Sequence, residues 1–291
     1  MRILITGASG FIGRSVYPLL TSGGHDVLRL GRNEPSNATE DNLLADLFYP
    51  DSYKQQLKDF KPDGLIHLAW GGLPDYSLSN CQINLRASTD LFEALIDSGC
   101  KWIFSSGTCW EYGNIVGAAK ENNQGIVSSL FPAFKLALHA AGNNLCKEVG
   151  LRFIWGRPFF VYGPNQRTSS LIPSCYLNLK AGTPPSIQNP NAVNDFIHVC
   201  DVAQAILALI EADDADGIFN IGSGKPVAVW EVVNLVATLM GKPPIYSGIS
   251  AHPQKGLWAD TSKINNFGWQ PSIPLETGIA EAIELWKKVN N

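Results

Sequence analysis

Three short constellations carry residue types able to do chemistry. The first is Thr6-Gly7-Ala8-Ser9-Gly10-Phe11-Ile12-Gly13, which follows the apolar run Ile3-Leu4-Ile5 and opens an amphipathic stretch. At this spacing Gly7 permits a tight turn, Gly10 lets the backbone approach a pyrophosphate, and Gly13 lets a helix pack close to a strand. The pyrophosphate then rests on free N–H groups at the positive end of that helix, beside Ser9, Phe11 and Ile12. The second is Gly31-Arg32-Asn33, at the end of the run Val27–Leu30. A site for NAD usually has an acid there to bond the ribose hydroxyls. Here there is none, and the planar fork of Arg32 suits a 2′-phosphate, with Arg14 as a second contact. NADP(H) is therefore expected over NAD(H). The third joins Ser106-Gly107-Thr108-Cys109-Trp110 to Phe131-Pro132-Ala133-Phe134-Lys135, a hydroxyl and an ammonium near what reads as another strand end.

These residues need a scaffold. Ile3–Ile5, Val27–Leu30, Leu65–Leu68, Trp102–Phe104 and Phe153–Trp155 read as buried strands. Phe11–Leu20, Tyr53–Leu57, Ile83–Ile96 and Leu136–Val149 read as the helices between them. Strand and helix in alternation predict a Rossmann-type, doubly wound parallel sheet of the α/β class, covered on both faces. After about residue 160, Pro and Gly break the chain often, and Val202–Ala212, Val229–Met240 and Leu275–Lys288 read as short helices. The expected division is a dinucleotide-binding domain over 1–160, with parts of 190–225 returning to it. A smaller α/β substrate lobe follows over 161–291. Ligands in such sheets lie beyond the carboxyl ends of the strands, above Gly7, His67 and Ser106.

With these motifs in place, the chain resembles the extended short-chain dehydrogenase/reductase family, the NAD(P)-dependent epimerases, dehydratases and ketoreductases of nucleotide sugars. The similarity runs from the glycine motif through Asp46-Leu47, His67-Leu68-Ala69, Asn84, Ser106 to Thr108, Arg157-Pro158, Asp195-Phe196-Ile197-His198 and Gly268-Trp269-Gln270-Pro271. The resemblance implies that Asp46 and Leu47 meet the adenine, that Leu68 and Ala69 lie beside the cofactor ribose, and that Ser106 and Pro158 lie near the nicotinamide. It implies that Thr108 hydrogen-bonds the reacting hydroxyl or ketone. Trp110, Asn165, Arg167, Leu171 and Ile172 fall where members of the family hold substrate. A homodimer through the two helices flanking the active-site strand is also implied.

The family uses a Tyr-x-x-x-Lys pair, in which the phenol transfers a proton while the lysine binds the nicotinamide ribose and lowers the phenol's pKa. Lys135 fits the second place, but Phe131 holds the first. Phenylalanine keeps the ring and has no proton to move. Three readings stay open: a tyrosine replaced to trap ligand, another acid (Cys109, Tyr112, His198 or a water on Thr108), or a chain that binds without turning over. Cys109 and Trp110 also stand where dehydratases carry Asp-Glu, and removal of water needs such an acid and base. Asn194 replaces a diphosphate-clamping arginine, and the late arginine before Trp258 is absent, with only His252 and Lys255 nearby. Arg167 is the best remaining phosphate anchor. The leading reading is an NADPH-dependent ketoreductase of a nucleotide-linked sugar, ahead of an epimerase and of a non-catalytic NADP-binding protein.

Composition excludes other classes. The 291 residues carry a formal net charge of −4, with 45% hydrophobic and 16% charged residues. No basic excess exists to drive nucleic-acid or anionic-membrane binding. The six cysteines form no C-x-x-C pair and no zinc spacing, so no metal is expected and free thiols in a reducing compartment are. The opening apolar run is too short for a signal segment or membrane span, which points to the cytoplasm.

Overall fold

A computed structural model describes residues 1–32, 42–247 and 256–289, so Asn33, His252 and Lys255 lie outside the described residues. Numbered along the chain, the first half holds β1 (Arg2–Thr6), α1 (Gly13–Ser22), β2 (Asp26–Gly31), β3 (Asn42–Leu44), α2 (Lys54–Phe60), β4 (Gly64–His67), α3 (Leu78–Asp97), β5 (Trp102–Ser106), β6 (Gly117–Ala119) and α4 (Leu130–Glu148). The second half holds β7 (Arg152–Pro158), β8 (Phe160–Tyr162), α5 (Leu171–Lys180), β9 (Val193–His198), α6 (Val199–Glu211), β10 (Gly217–Ile221), β11 (Pro226–Ala228), α7 (Val229–Leu239), β12 (Leu257–Ala259), α8 (Ser262–Asn265) and α9 (Leu275–Val289).

Seven strands form a parallel sheet in the order β10-β7-β5-β4-β1-β2-β3. Its strands are short apolar runs because helices cover both faces. In β1 the two-residue period sorts the side chains. Ile3 and Ile5 enter a core with Val16 and Leu20 of α1 and Ile206 of α6, whereas Leu4 enters another with Leu91 of α3 and Leu138 of α4. Strand order reverses between β1 and β4, the switch point at which such sheets open a crevice. Both β10 and α6 belong to this unit: β10 pairs with β7, and α6 packs on the core shared with α1.

The rest of the C-terminal half adds, to the helices read there, strands that no sequence period marks. A second sheet runs β11-β9-β12-β6, with β8 on β9, and α5, α7 and α9 bury Tyr176, Val233 and Ile279 against Phe196. Most of its strands are three residues long, too short for a period to show in the sequence. Helix α4 also begins at Leu130 and not at Leu136. Pro132 falls in its first turn, where a missing N–H costs no helical hydrogen bond. The earlier start puts Phe131 and Lys135 on one helix face, four residues apart.

Candidate active site

At the switch point a cleft of about 770 Å³ opens, lined by the glycine loop, the ends of β1, β2 and β4, and the segment 165–167. That size suits a small-molecule or cofactor site. Gly7 adopts φ 74°, and a Cβ on it would lie 2.8 Å from the Ala69 backbone nitrogen. A Cβ on Gly13 would lie 2.1 Å from the Gly7 carbonyl oxygen, so α1 approaches the loop as closely as a glycine permits. The loop is a cradle of backbone N–H groups at a helix start, and it fits a dinucleotide pyrophosphate.

Ser9, Gly10, Phe11 and Ile12 line the cleft with Gly7, as do Arg32, Asp46, Leu47, Leu68 and Ala69. At its β2 end Arg32 and Arg14 are both present, and the Arg14 Nε donates to the Ser9 carbonyl at 2.8 Å. The Asp46 carboxylate accepts from the Phe48 N–H at 3.1 Å, which turns the loop past the cleft. His67 is structural. Thr6 Oγ1 and Ser88 Oγ hold its two ring nitrogens at 2.8 and 2.9 Å, and burial pushes its pKa down to about 3. Thr6 Oγ1 also accepts from the Ala69 N–H at 3.3 Å, fixing the backbone that faces the cleft.

Beyond the cleft, β5 ends beneath α4. Lys135 is 4% exposed, and its ammonium donates to the Ser106 carbonyl at 2.7 Å and lies 4.2 Å over the Trp70 ring. Burial pushes its pKa down to about 8, with Glu111 opposing that shift. Thr108 is half-buried. Its Oγ1 accepts from the Trp110 N–H at 3.3 Å, and its side chain also hydrogen-bonds the Cys109 thiol. Ser106 and Lys135 are thus brought together, while Pro158 ends β7 opposite Ile221, off the lining of the cleft.

The three side chains named as replacement acids are not at this site's surface. Cys109 is 3% exposed in an apolar cluster with Tyr112 and Phe159, and burial pushes its thiol well up. The Tyr112 hydroxyl donates to Asn220 Oδ1 at 2.5 Å, is wholly buried, and is pushed up to about 12 by desolvation. His198 caps α6 by accepting from the Cys200 N–H at 3.3 Å, and its burial lowers its pKa. Sequence proximity to the motifs placed them near the chemistry, and packing removes them from it. His139 packs on Trp155 with ring centroids 5.2 Å apart, as a helix-face residue.

The substrate candidates divide. Asn165, at φ 65°, and Arg167 line the cleft. Trp110 is 43% exposed beside Thr108. Leu171 packs at the edge of the C-terminal core and Ile172 is 2% exposed within it, so the Ile172 side chain cannot face a ligand. Only its backbone at the start of α5 could.

Three features escaped sequence reasoning. Trp70 is buried in the core beside α3, and it also lines the cleft and carries the Lys135 ammonium. Tyr76, from the loop before α3, packs its ring 5.1 Å from Phe131 and 6.0 Å from Trp110. Glu111 and Arg157 form a buried ion pair at 2.7 Å, and Glu111 Oε1 also accepts from the Thr108 N–H at 2.8 Å. That pair braces the strand end carrying Thr108.

A doubly wound parallel sheet with a glycine cradle at its switch point defines a dinucleotide-binding protein. Residues 3–222 match the NAD dependent epimerase/dehydratase family, and the chain belongs to that family. It is 24% identical to the GDP-6-deoxy-D-mannose reductase of Pseudomonas aeruginosa, over 98% of this chain and 97% of that protein. It is 27% identical to a UDP-glucose 4-epimerase of Halalkalibacterium halodurans, over 97% of this chain and 94% of that one. The fold matches the UDP-glucose 4-epimerase of Thermus thermophilus in complex with NAD, with a TM-score of 0.86 over 99% of both chains at 23% identity. Among the described residues no helix is long and apolar enough to cross a membrane, and no group of His, Cys, Asp and Glu has the arrangement of a metal site.

Proposed function

We propose that the chain is an NADPH-dependent reductase of a keto group on a nucleotide-linked sugar. The observation that carries this reading is the β2 end of the cleft, where Arg32 takes the strand-end place of the ribose-binding acid and Arg14 adds a second cation. A carboxylate there would repel a 2′-phosphate, whereas two guanidinium groups attract it. NADPH is the dinucleotide suited to net reduction, and when bound it supplies hydride. The chain's own residues then divide the remaining work. The backbone of Gly7, Ser9, Gly10, Phe11 and Ile12 takes the pyrophosphate, and Asp46 and Leu47 take the adenine. Leu68, Ala69 and Lys135 face the riboses, and Ser106 the nicotinamide side. Thr108 donates to the ketone oxygen.

Cys109 and Trp110 in place of an acid–base pair argue against dehydration. A sugar-nucleotide reductase is among the relatives, which supports the substrate class. Arg167 anchors the diphosphate, and Trp110 walls the sugar with Asn165 and the Leu171–Ile172 backbone. A homodimer through α3 and α4 fits the exposed Leu78, Ile83 and Leu130 on those helices, and the cytoplasm fits the free thiols.

The test is a pair of equilibrium titrations, NADPH and NADH, against the protein and Arg32→Ala. The expected loss is about 1.5–3 kcal/mol for NADPH, the range for a charge-assisted hydrogen bond, with NADH almost unmoved. Equal losses for both dinucleotides would show that Arg32 does not read the phosphate.

A further inference from the structure

We propose that Tyr76 is the proton donor to the ketone, from a different loop than the one that carries Phe131. The inference rests on the reductase reading above. Proton transfer at the site needs an acid able to face a ligand, and Cys109, Tyr112 and His198 are buried with their positions fixed by packing or capping. Tyr76 is half-buried, and among the described residues its hydroxyl has no hydrogen-bond partner. Its ring lies 5.1 Å from that of Phe131 at a tilt of 51°, and 6.0 Å from that of Trp110, the residue two beyond Thr108. Phe131 itself lies 5.9 Å beneath the Lys135 ammonium. A phenol is therefore present beside the ring that lacks one.

The loop that carries it is built to hold one conformation. Asn84 Oδ1 accepts from the Gly71 N–H at 2.6 Å, and Asn80 Nδ2 donates to the carbonyls of Gly71 at 3.0 Å and Asp75 at 2.7 Å. The Asp75 carboxylate accepts from the Ser77 N–H at 2.8 Å, and the Asp75 N–H donates to the Gly72 carbonyl at 2.9 Å. Gly72 adopts φ 78°, where a Cβ would lie 2.6 Å from Asn80 Oδ1. Catalytic groups need this kind of support, because a misplacement of about 1 Å can cost two orders of magnitude in rate. Phe131, Trp70 and Trp110 then act as the aromatic wall that sets the Tyr76 ring against the site.

The step balances. Hydride passes from the nicotinamide C4 of NADPH to the carbonyl carbon, whose π pair moves to oxygen. The Tyr76 O–H bond breaks and its proton joins that oxygen, giving an alcohol and NADP⁺. The phenolate that remains recovers a proton from water, which reaches a half-exposed ring.

The experiment uses the full chain, Tyr76→Phe, and the double variant Tyr76→Phe/Phe131→Tyr, with NADPH and a panel of 4-keto sugar nucleotides. Tyr76→Phe is expected to lose at least about a hundredfold in kcat, within the range for general acid catalysis, with an unchanged Kd for NADPH. Binding of the alcohol product to the NADPH complex, which cannot react, should weaken about tenfold through one lost hydrogen bond. The double variant should regain at least about tenfold in kcat, since it restores a phenol on the adjacent ring. A Tyr76→Phe rate within a few-fold of the parent overturns the proposal. So does a loss accompanied by weaker NADPH binding, or one the double variant does not repair. Phe131→Tyr serves as the control for the underlying reading. Turnover by Phe131→Tyr but not by the parent chain overturns the role of Tyr76 and leaves the reductase reading standing. No turnover by either overturns both.

Discussion

Lys135 offers a quantitative test of the electrostatics at the end of β5. The residue is buried, and its ammonium has one hydrogen bond to the Ser106 carbonyl and the Trp70 ring beneath it. Desolvation lowers its pKa from 10.5 to about 8. At about 1.36 kcal/mol per unit, that difference corresponds to about 3 kcal/mol against the charged form in the folded state. Below pH 8 the ammonium is charged whether the chain is folded or not, and the full penalty falls on the native state. Between pH 8 and 10.5 the folded chain has released the proton and the unfolded chain still holds it, so this group makes stability rise with pH. Above 10.5 its contribution is flat. Lys135→Met keeps the apolar stem and removes the charge, and titrations elsewhere in the chain are common to both proteins. In urea denaturation at a series of pH values, the variant's stability relative to the parent is expected to fall by about 3 kcal/mol between pH 8 and 10.5. A difference that stays constant across that interval would refute the reasoning, because no buried ammonium would then be titrating.

Other perturbations follow from the same geometry. Gly13→Ala puts a Cβ 2.1 Å from the Gly7 carbonyl oxygen and 2.7 Å from the Ala8 Cα, both backbone. It should cost about 1–3 kcal/mol in denaturant unfolding, and calorimetry should show NADPH affinity falling with it. Glu111→Gln leaves the Arg157 guanidinium buried without its counter-charge, a loss of about 3–5 kcal/mol measurable by urea denaturation. Thr108→Val removes the hydroxyl proposed to donate to the ketone and should lower kcat for a 4-keto sugar nucleotide at least about tenfold, with the Kd for NADPH unchanged in a fluorescence titration.

The parts of the site legible in the sequence are those built from contiguous residues. Thr6 to Gly13 form one strand–turn–helix, and the requirement for glycine at each place is local. Phe131 and Lys135 lie one helical turn apart, so their pairing is also local once the helix is recognised. What escaped depends on contacts across long stretches of chain. Tyr76 meets Phe131 because the loop after β4 folds over the start of α4, and no spacing rule joins 76 to 131. Glu111 meets Arg157 across 46 residues, and their burial turns a pair of ordinary charges into the brace behind Thr108. Cys109 and Tyr112 are sequence neighbours of Thr108, yet the short helical turn Cys109–Tyr112 points them into the core. Trp70 packs in the core, as a tryptophan after a buried strand usually does, and its second role at the cleft shows only in the fold.

The most direct test of the account follows the hydrogen itself. NADPH carrying deuterium at the transferred position of C4 is incubated with the chain and each 4-keto sugar nucleotide of the panel, and the products are read by mass spectrometry and NMR. One deuterium is expected on the carbinol carbon of the product, with one NADP⁺ formed per alcohol. A stereochemically inverted sugar with no net consumption of NADPH, or an NADPH complex that transfers no label to any sugar, would contradict the account.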